Sequence, residues 1–256
     1  MKKTITLLLA AAGLAIAADD INPIGLNFVS VEENGSIIKK TATLNSALFA
    51  ENAFSVVLTL DFKALSSGGG DLFLVNGTTH YPSLPNDTNP ATWGMKHYYM
   101  YEDYGWDYYE ESNLYGVANS SQNSQAINYN LLNKQPDYAD VVYSYKVENN
   151  ESVLTTTMYF YNGNHEKIDN DYVKTYTNNK NYLTTYTSID VLSSAVTNLQ
   201  LYNVALEGDE QIQTALNTLK GNTPPSSPGD GNVPEPATAT LSLLALAGLA
   251  ARRRRR

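Results

Sequence analysis

The chain has 256 residues with no cysteine, which excludes a disulfide framework, a thiolate zinc site and a cysteine nucleophile. Setting aside Lys2, Lys3, Glu235 and Arg252 to Arg256 leaves a body with 10 basic against 25 acidic residues, a net −15, and no arginine. Such a surface is a poor partner for nucleic acid or for sulfated or sialylated polymers met through broad charge attraction, whereas neutral sugars, cations and proteins stay open.

Met1-Lys2-Lys3 is a positive start, and Thr4 to Ile16 an apolar run of roughly a dozen residues. Ala15-Ile16-Ala17 is the small-x-small pattern that signal peptidase accepts, so residues 1–18 read as a signal peptide cut after Ala17 or Ala18. The run is shorter than the about 20 residues needed to span a bilayer.

From residue 19 to 221 the period is that of strands. Phe54, Val56, Leu58, Leu60 and Phe62 fall on one face of a two-residue repeat and Ser55, Thr59 and Asp61 on the other, which predicts a half-buried strand with one dry side. Val141, Tyr143, Tyr145 and Val147 repeat the pattern, and 153–161 is rich in residues suited to a pleated surface. Asn34-Gly35, Asn76-Gly77 and Asn162-Gly163 are read as tight turns. Gly68-Gly69-Gly70 reads as a connection between strands, since a strand and not a helix follows it. Thr175-Tyr176-Thr177 and Thr185-Tyr186-Thr187 read as neighbouring strands. Many short strands joined by turns predict an all-β antiparallel sandwich. Ile212, Ala215, Leu216 and Leu219 add one short amphipathic helix, opened by Glu207, Asp209 and Glu210 and closed by Lys220-Gly221.

The densest local signal is HYYMYEDYGWDYYEES, residues 97–112, with seven aromatics and five carboxylates in sixteen positions. Flat rings stack on the apolar faces of sugars, and carboxylates accept hydroxyl hydrogen bonds or hold Ca²⁺. Tyr99, Tyr101, Tyr104, Trp106, Asp107 and Tyr109 are the candidate ligand-binding residues. The bland alternative is a long Tyr-rich loop or edge hairpin covering one end of the sandwich. Glu102, Asp103, Asp107, Glu110 and Glu111 could also provide the carboxylate pair that glycoside hydrolysis needs, but no alternating carboxylate triad is present, and no residue is assigned a catalytic role. Whether a metal binds is left open, with Ca²⁺ the one cofactor named. His80, His97 and His165 are scattered singly and read as surface residues. Nineteen tyrosines suit either a polar aromatic surface or ordinary strand packing.

Residues 222–236 hold five prolines in fifteen positions with no hydrophobic spacing; 222–232 read as a disordered Pro/Gly/Ser linker. Pro234-Glu235-Pro236, an apolar stretch ending at Ala251, and Arg252, Arg253, Arg254, Arg255 and Arg256 close the chain. Arginines held in the cytoplasm stop translocation, an apolar helix sits transiently in the inner membrane, and the rigid Pro-Glu-Pro emerges outside.

Two resemblances rest on these residues. SSAVTNLQLYNVALEGDEQI, through Leu199, Leu201, Tyr202, Asn203, Ala205, Leu206 and Ile212, resembles the closing strand and helix of laminin G-like domains of the concanavalin A-like superfamily. FSVVLTLDFKAL with DLFLV resembles their first long strand pair, and DVVYSYKVENNESVLTTTMYFYNG their central hairpin. The resemblance implies a jelly-roll sandwich over 19–221. Residues 233–256 resemble the PEP-CTERM sorting signal of Gram-negative-type bacteria, which implies signal peptidase and an exosortase as processing partners. The expectation is an exported, envelope or surface module that binds glycan or extracellular protein without catalysis. A hydrolase or lyase on the same scaffold, or a structural matrix protein, is the alternative.

Overall fold

The structure, a computed structural model, describes residues 21–221 apart from 34–35, 50–51, 67–68, 82–83, 104–107, 119–120, 129–134, 150, 169–170 and 179–182. The expected signal peptide and linker and the sorting tail lie outside the described residues, as does Asn34-Gly35. The chain divides after Gly221 into one unit of Met1–Gly221 and another of Asn222–Arg256.

Alternating apolar residues make strands, and the strands form two antiparallel sheets. In chain order they are β1 (Val29–Glu33), β2 (Ser36–Thr43), β3 (Phe54–Asp61), β4 (Gly70–Tyr81), β5 (Leu84–Asp103), β6 (Tyr108–Ala118), β7 (Ser121–Asn128), β8 (Tyr138–Glu148), β9 (Glu151–Tyr161), β10 (Tyr172–Asn178), β11 (Leu183–Val191) and β12 (Val196–Tyr202), with helix α1 over Gly208–Leu219. Seven strands run β1-β2-β11-β4-β5-β6-β7, and five run β10-β9-β8-β3-β12. This is the predicted sandwich, and the predicted β8–β9 hairpin is present with Glu148 opposite Glu151.

Its core is aromatic. Phe54, Trp93, Tyr143, Tyr145 and Tyr186 are all at most 1 % exposed. Phe54 and Trp93 meet Tyr186 edge-on at 5.1 and 5.2 Å, and Phe73 meets Tyr143 edge-on at 5.5 Å, the arrangement the ring quadrupoles favour. The Tyr143 hydroxyl donates to Val117 O, so this phenol fills core volume without leaving its proton unsatisfied. Gly94 lets β4 and β5 approach here: a Cβ on it would sit 2.0 Å from Phe73 O.

Several expectations are corrected. β3 is dry on both faces, not one: Ser55 and Val57 are fully buried, because α1 packs on the outer face of the five-stranded sheet with Val142, Tyr202, Ala215, Leu216 and Leu219. Strand β3 ends at Asp61, whose carboxylate caps a single helical turn over Phe62–Ala64, so Phe62 leaves the strand but still packs on the core. Asn76-Gly77 lies inside β4, not in a turn; a Cβ on Gly77 would meet Thr185 O at 2.8 Å, so close strand approach is what requires the glycine. The two Thr-Tyr-Thr copies sit on consecutive strands, β10 and β11, that belong to opposite sheets, and β3 and β4 likewise separate instead of pairing.

The helix is tied to the sheet by two buried hydroxyls. Ser55 Oγ accepts from Leu206 N at 2.8 Å and donates to Val204 O at 2.9 Å, with Ser144 Oγ at 2.8 Å. Ser144 Oγ in turn reaches Leu206 O at 3.2 Å. Replacing Ser55 by Ala leaves the Leu206 amide buried without its acceptor, which predicts a loss of about 1–3 kcal/mol in urea unfolding of the exported protein; an unchanged midpoint would contradict the role given to this contact.

Candidate functional site

The Tyr-rich stretch lies on β5 and β6, two strands in the interior of the seven-strand order. His97 lies opposite Gly70 on one side and Leu114 on the other. Among the described residues, β5 beyond it pairs with β6 through Asp103 opposite Tyr108, and the pairing of β7 with β6 begins at Asn113. Residues 98–103 and 108–112 are therefore a two-stranded ribbon that extends past β4 and β7. Tyr101 stands opposite Glu110, Glu102 opposite Tyr109 and Met100 opposite Glu111. Tyr98 is 44 % exposed and Tyr99 half-buried. Tyr104, Trp106 and Asp107 lie outside the described residues, and so do the side chains of Tyr101 and Tyr109.

At the foot of the ribbon His97 is buried, contrary to its reading as a surface residue, while His165 is exposed and stacks on Tyr138 at 5.0 Å. The side chain of His80 is outside the described residues. Burial pushes the His97 imidazole below its ordinary 6.5, against a smaller opposing effect of a backbone hydrogen bond at Ser66. It borders a hollow of about 370 Å³ with Gly69, Asp71, Leu72 and Ser193. Gly69 is held at φ +73°, and a Cβ on it would meet His97 O at 2.8 Å.

Two larger hollows come from segments that no local motif connects. One, about 430 Å³, lies on the outer face of the five-stranded sheet beside the first turn of α1, floored by Ser144, Thr155, Thr157 and Tyr159. Several of its charges are paired: Lys146 is 2.5 Å from both Glu148 and Glu207, and Lys167 is 2.6 Å from Asp171, while Asp209 also lines it. Burial lowers the Lys146 pKa, but hydrogen bonds to the two glutamates outweigh it and leave the ammonium above its ordinary 10.5. The other hollow, about 610 Å³, opens at the mouth of the sandwich between β2, β11 and β12, and includes Phe28, Ile38, Lys40 and Leu199. Sequence reading missed both, because their walls come from positions far apart in the chain.

Among the described residues no three His, Asp or Glu side chains gather as a metal site would require. Nor is any described helix long and apolar enough to cross a membrane.

Residues 232–256 match the PEP-CTERM protein-sorting motif. No curated protein matches the chain. The motif directs the chain to export and to exosortase-type sorting at the cell envelope of a Gram-negative-type bacterium, with the exosortase as its processing partner.

His97 supplies a pH test. Its folded pKa is depressed, so the unfolded chain binds more protons below pH 6.5; the stability it contributes is present above that pH and lost as pH falls through the folded value. Thermal unfolding of the exported protein between pH 7 and 5 should show a fall in melting temperature that His97→Gln reduces. An identical profile for the two proteins would contradict the burial argument.

Proposed function

We propose that the sandwich is a non-catalytic binding or adhesion module of the laminin G-like type, displayed at the envelope and contacting carbohydrate or extracellular matrix material. The observation that carries this reading is the Tyr-rich ribbon: seven aromatics and five carboxylates on and between two strands that extend past their neighbours, on a chain whose end bears a sorting motif. Aromatic rings in such a stretch can stack on the apolar faces of sugars, and carboxylates can accept from sugar hydroxyls; of the aromatics, Tyr98 is exposed and Tyr99 half-buried.

The laminin G-like assignment is supported by the order at the domain end. β12 leads through Asn203–Glu207 into α1, and Tyr202 and Leu206 are buried under that helix, the arrangement expected of the closing motif. A non-catalytic role is favoured by the carboxylates lining the described hollows, several of which are committed to lysines. Asp71 is 3.2 Å from Lys96, and Asp171 and Glu207 are paired as above.

The test is a glycan array with matrix polymers, probed with the exported protein. Binding is expected, and the double variant Trp106→Ala, Tyr109→Ala should weaken it at least about tenfold, or about 1.4 kcal/mol, at unchanged melting temperature. Blank arrays against both glycans and matrix polymers would contradict the reading.

A further inference from the structure

The mouth of the sandwich is lined on one side by β2, whose alternation divides its side chains between two faces. Lys39 and Thr41 lie on the outer face, where both reach the Asp190 carboxylate, at 3.0 and 2.8 Å. Ile38 and Lys40 share the inner face with Ala42, which is in the core. β2 thus runs out of core at this end, and Ile38 remains 45 % exposed. Across the gap stand Leu199 of β12 and the turn after β11, leaving the hollow of about 610 Å³. That volume lies within the about 300–1,000 Å³ of small-ligand sites.

Its charge sets it apart in an acidic body. Of the eight described lysines, six are in ion pairs, with Asp190, Asp137, Asp71, Glu148 and Glu207, Asp171, and Asp140. Among the described residues Lys40 and Lys174 have no carboxylate within ion-pair distance, and of these Lys40 lines the mouth. Ser193 Oγ accepts from Ala195 N at 3.2 Å, so its O–H proton is directed elsewhere.

We propose that this mouth is a second binding site, distinct from the ribbon, for the carboxylated sugar unit of an acidic polysaccharide. Lys40 meets the carboxylate, Phe28, Ile38 and Leu199 take the apolar face of the ring, and Ser193 and Asn198 meet its hydroxyls. Lys39 also borders the hollow but is held by Asp190, so the Lys40 ammonium, beside Phe28, Ile38 and Leu199, is the cation left to select one carboxylate at short range, whereas the net −15 of the body opposes loose attraction of polyanions. The proposal rests on the reading of the sandwich as a glycan-binding module, and the experiment separates the two.

Calorimetric titration of the exported protein with oligomers of galacturonic acid, set beside neutral galactose oligomers of equal length, is the test. Uronate binding is expected, weakened by added salt and about tenfold by Lys40→Gln, unchanged by Lys174→Gln, and retained by the ribbon variant. Lys40 is exposed and outside every ion pair described, so its variant should melt as the parent does. Equal affinity for neutral oligomers, or uronate binding indifferent to Lys40→Gln, overturns the second site while leaving the glycan-binding reading in place. Absence of binding to either oligomer also overturns it, and blank arrays would then remove the broader reading as well.

Discussion

The burial of both faces of β3 and β8 is the constraint on which the rest of the domain depends. Phe54, Val56, Leu58 and Leu60 point into the sandwich, and that face alone would suffice for an ordinary exposed sheet. Val57 and Val142 on the opposite face need a second cover, which α1 supplies. A helix of 12 residues has little stability of its own, so its place is fixed by packing and by hydrogen bonds at its entry. Ser55 and Ser144 provide those bonds, holding the connection from β12 at Val204 and Leu206. Lys220, at the helix end, closes the other side on Asp140 at 2.8 Å.

From this follows the layout of possible binding surfaces. With the outer face of the five-stranded sheet partly roofed by α1, the open places are the ribbon of β5 and β6, the mouth beside β2 and the hydroxyl-floored hollow by the first turn of α1. In the last of these, Lys146, Glu207 and Asp171 are already held in ion pairs. The first carries Tyr98 and Tyr99, and the second Lys40, which is in no ion pair among the described residues. The abundance of tyrosine divides between the two uses foreseen for it: Tyr143, Tyr145, Tyr186 and Tyr202 fill the interior, while Tyr98 is open to solvent.

Much of the fold was legible because its signals are local. Two-residue alternation marked β3, β8 and β9, and the i, i+3, i+4, i+7 stripe marked α1, whose Ala215, Leu216 and Leu219 are buried. What escaped was non-local. Val57 interrupts the polar face of β3, yet nothing nearby in the chain indicates that a helix some 150 residues later covers it. Asn76-Gly77 carries a turn signal, but the glycine answers to Thr185 on another strand. His97 looked like a lone surface histidine because the residues that border its hollow, among them Gly69 and Leu192, lie far from it in the chain. The mouth is assembled from residues near 28, 38–40 and 191–199, so no motif announces it. The sorting motif is the opposite case, a contiguous stretch whose order of rigid, apolar and cationic parts is itself the signal.

Display at the envelope is the premise on which any binding by this domain acquires a purpose. The most direct measurement is intact-mass spectrometry of the protein recovered from cells that possess the exosortase system. The account predicts a chain beginning after Ala17 or Ala18 and ending near Glu235 or Pro236, with the five arginines removed. A mature protein that still ends at Arg256 would contradict it.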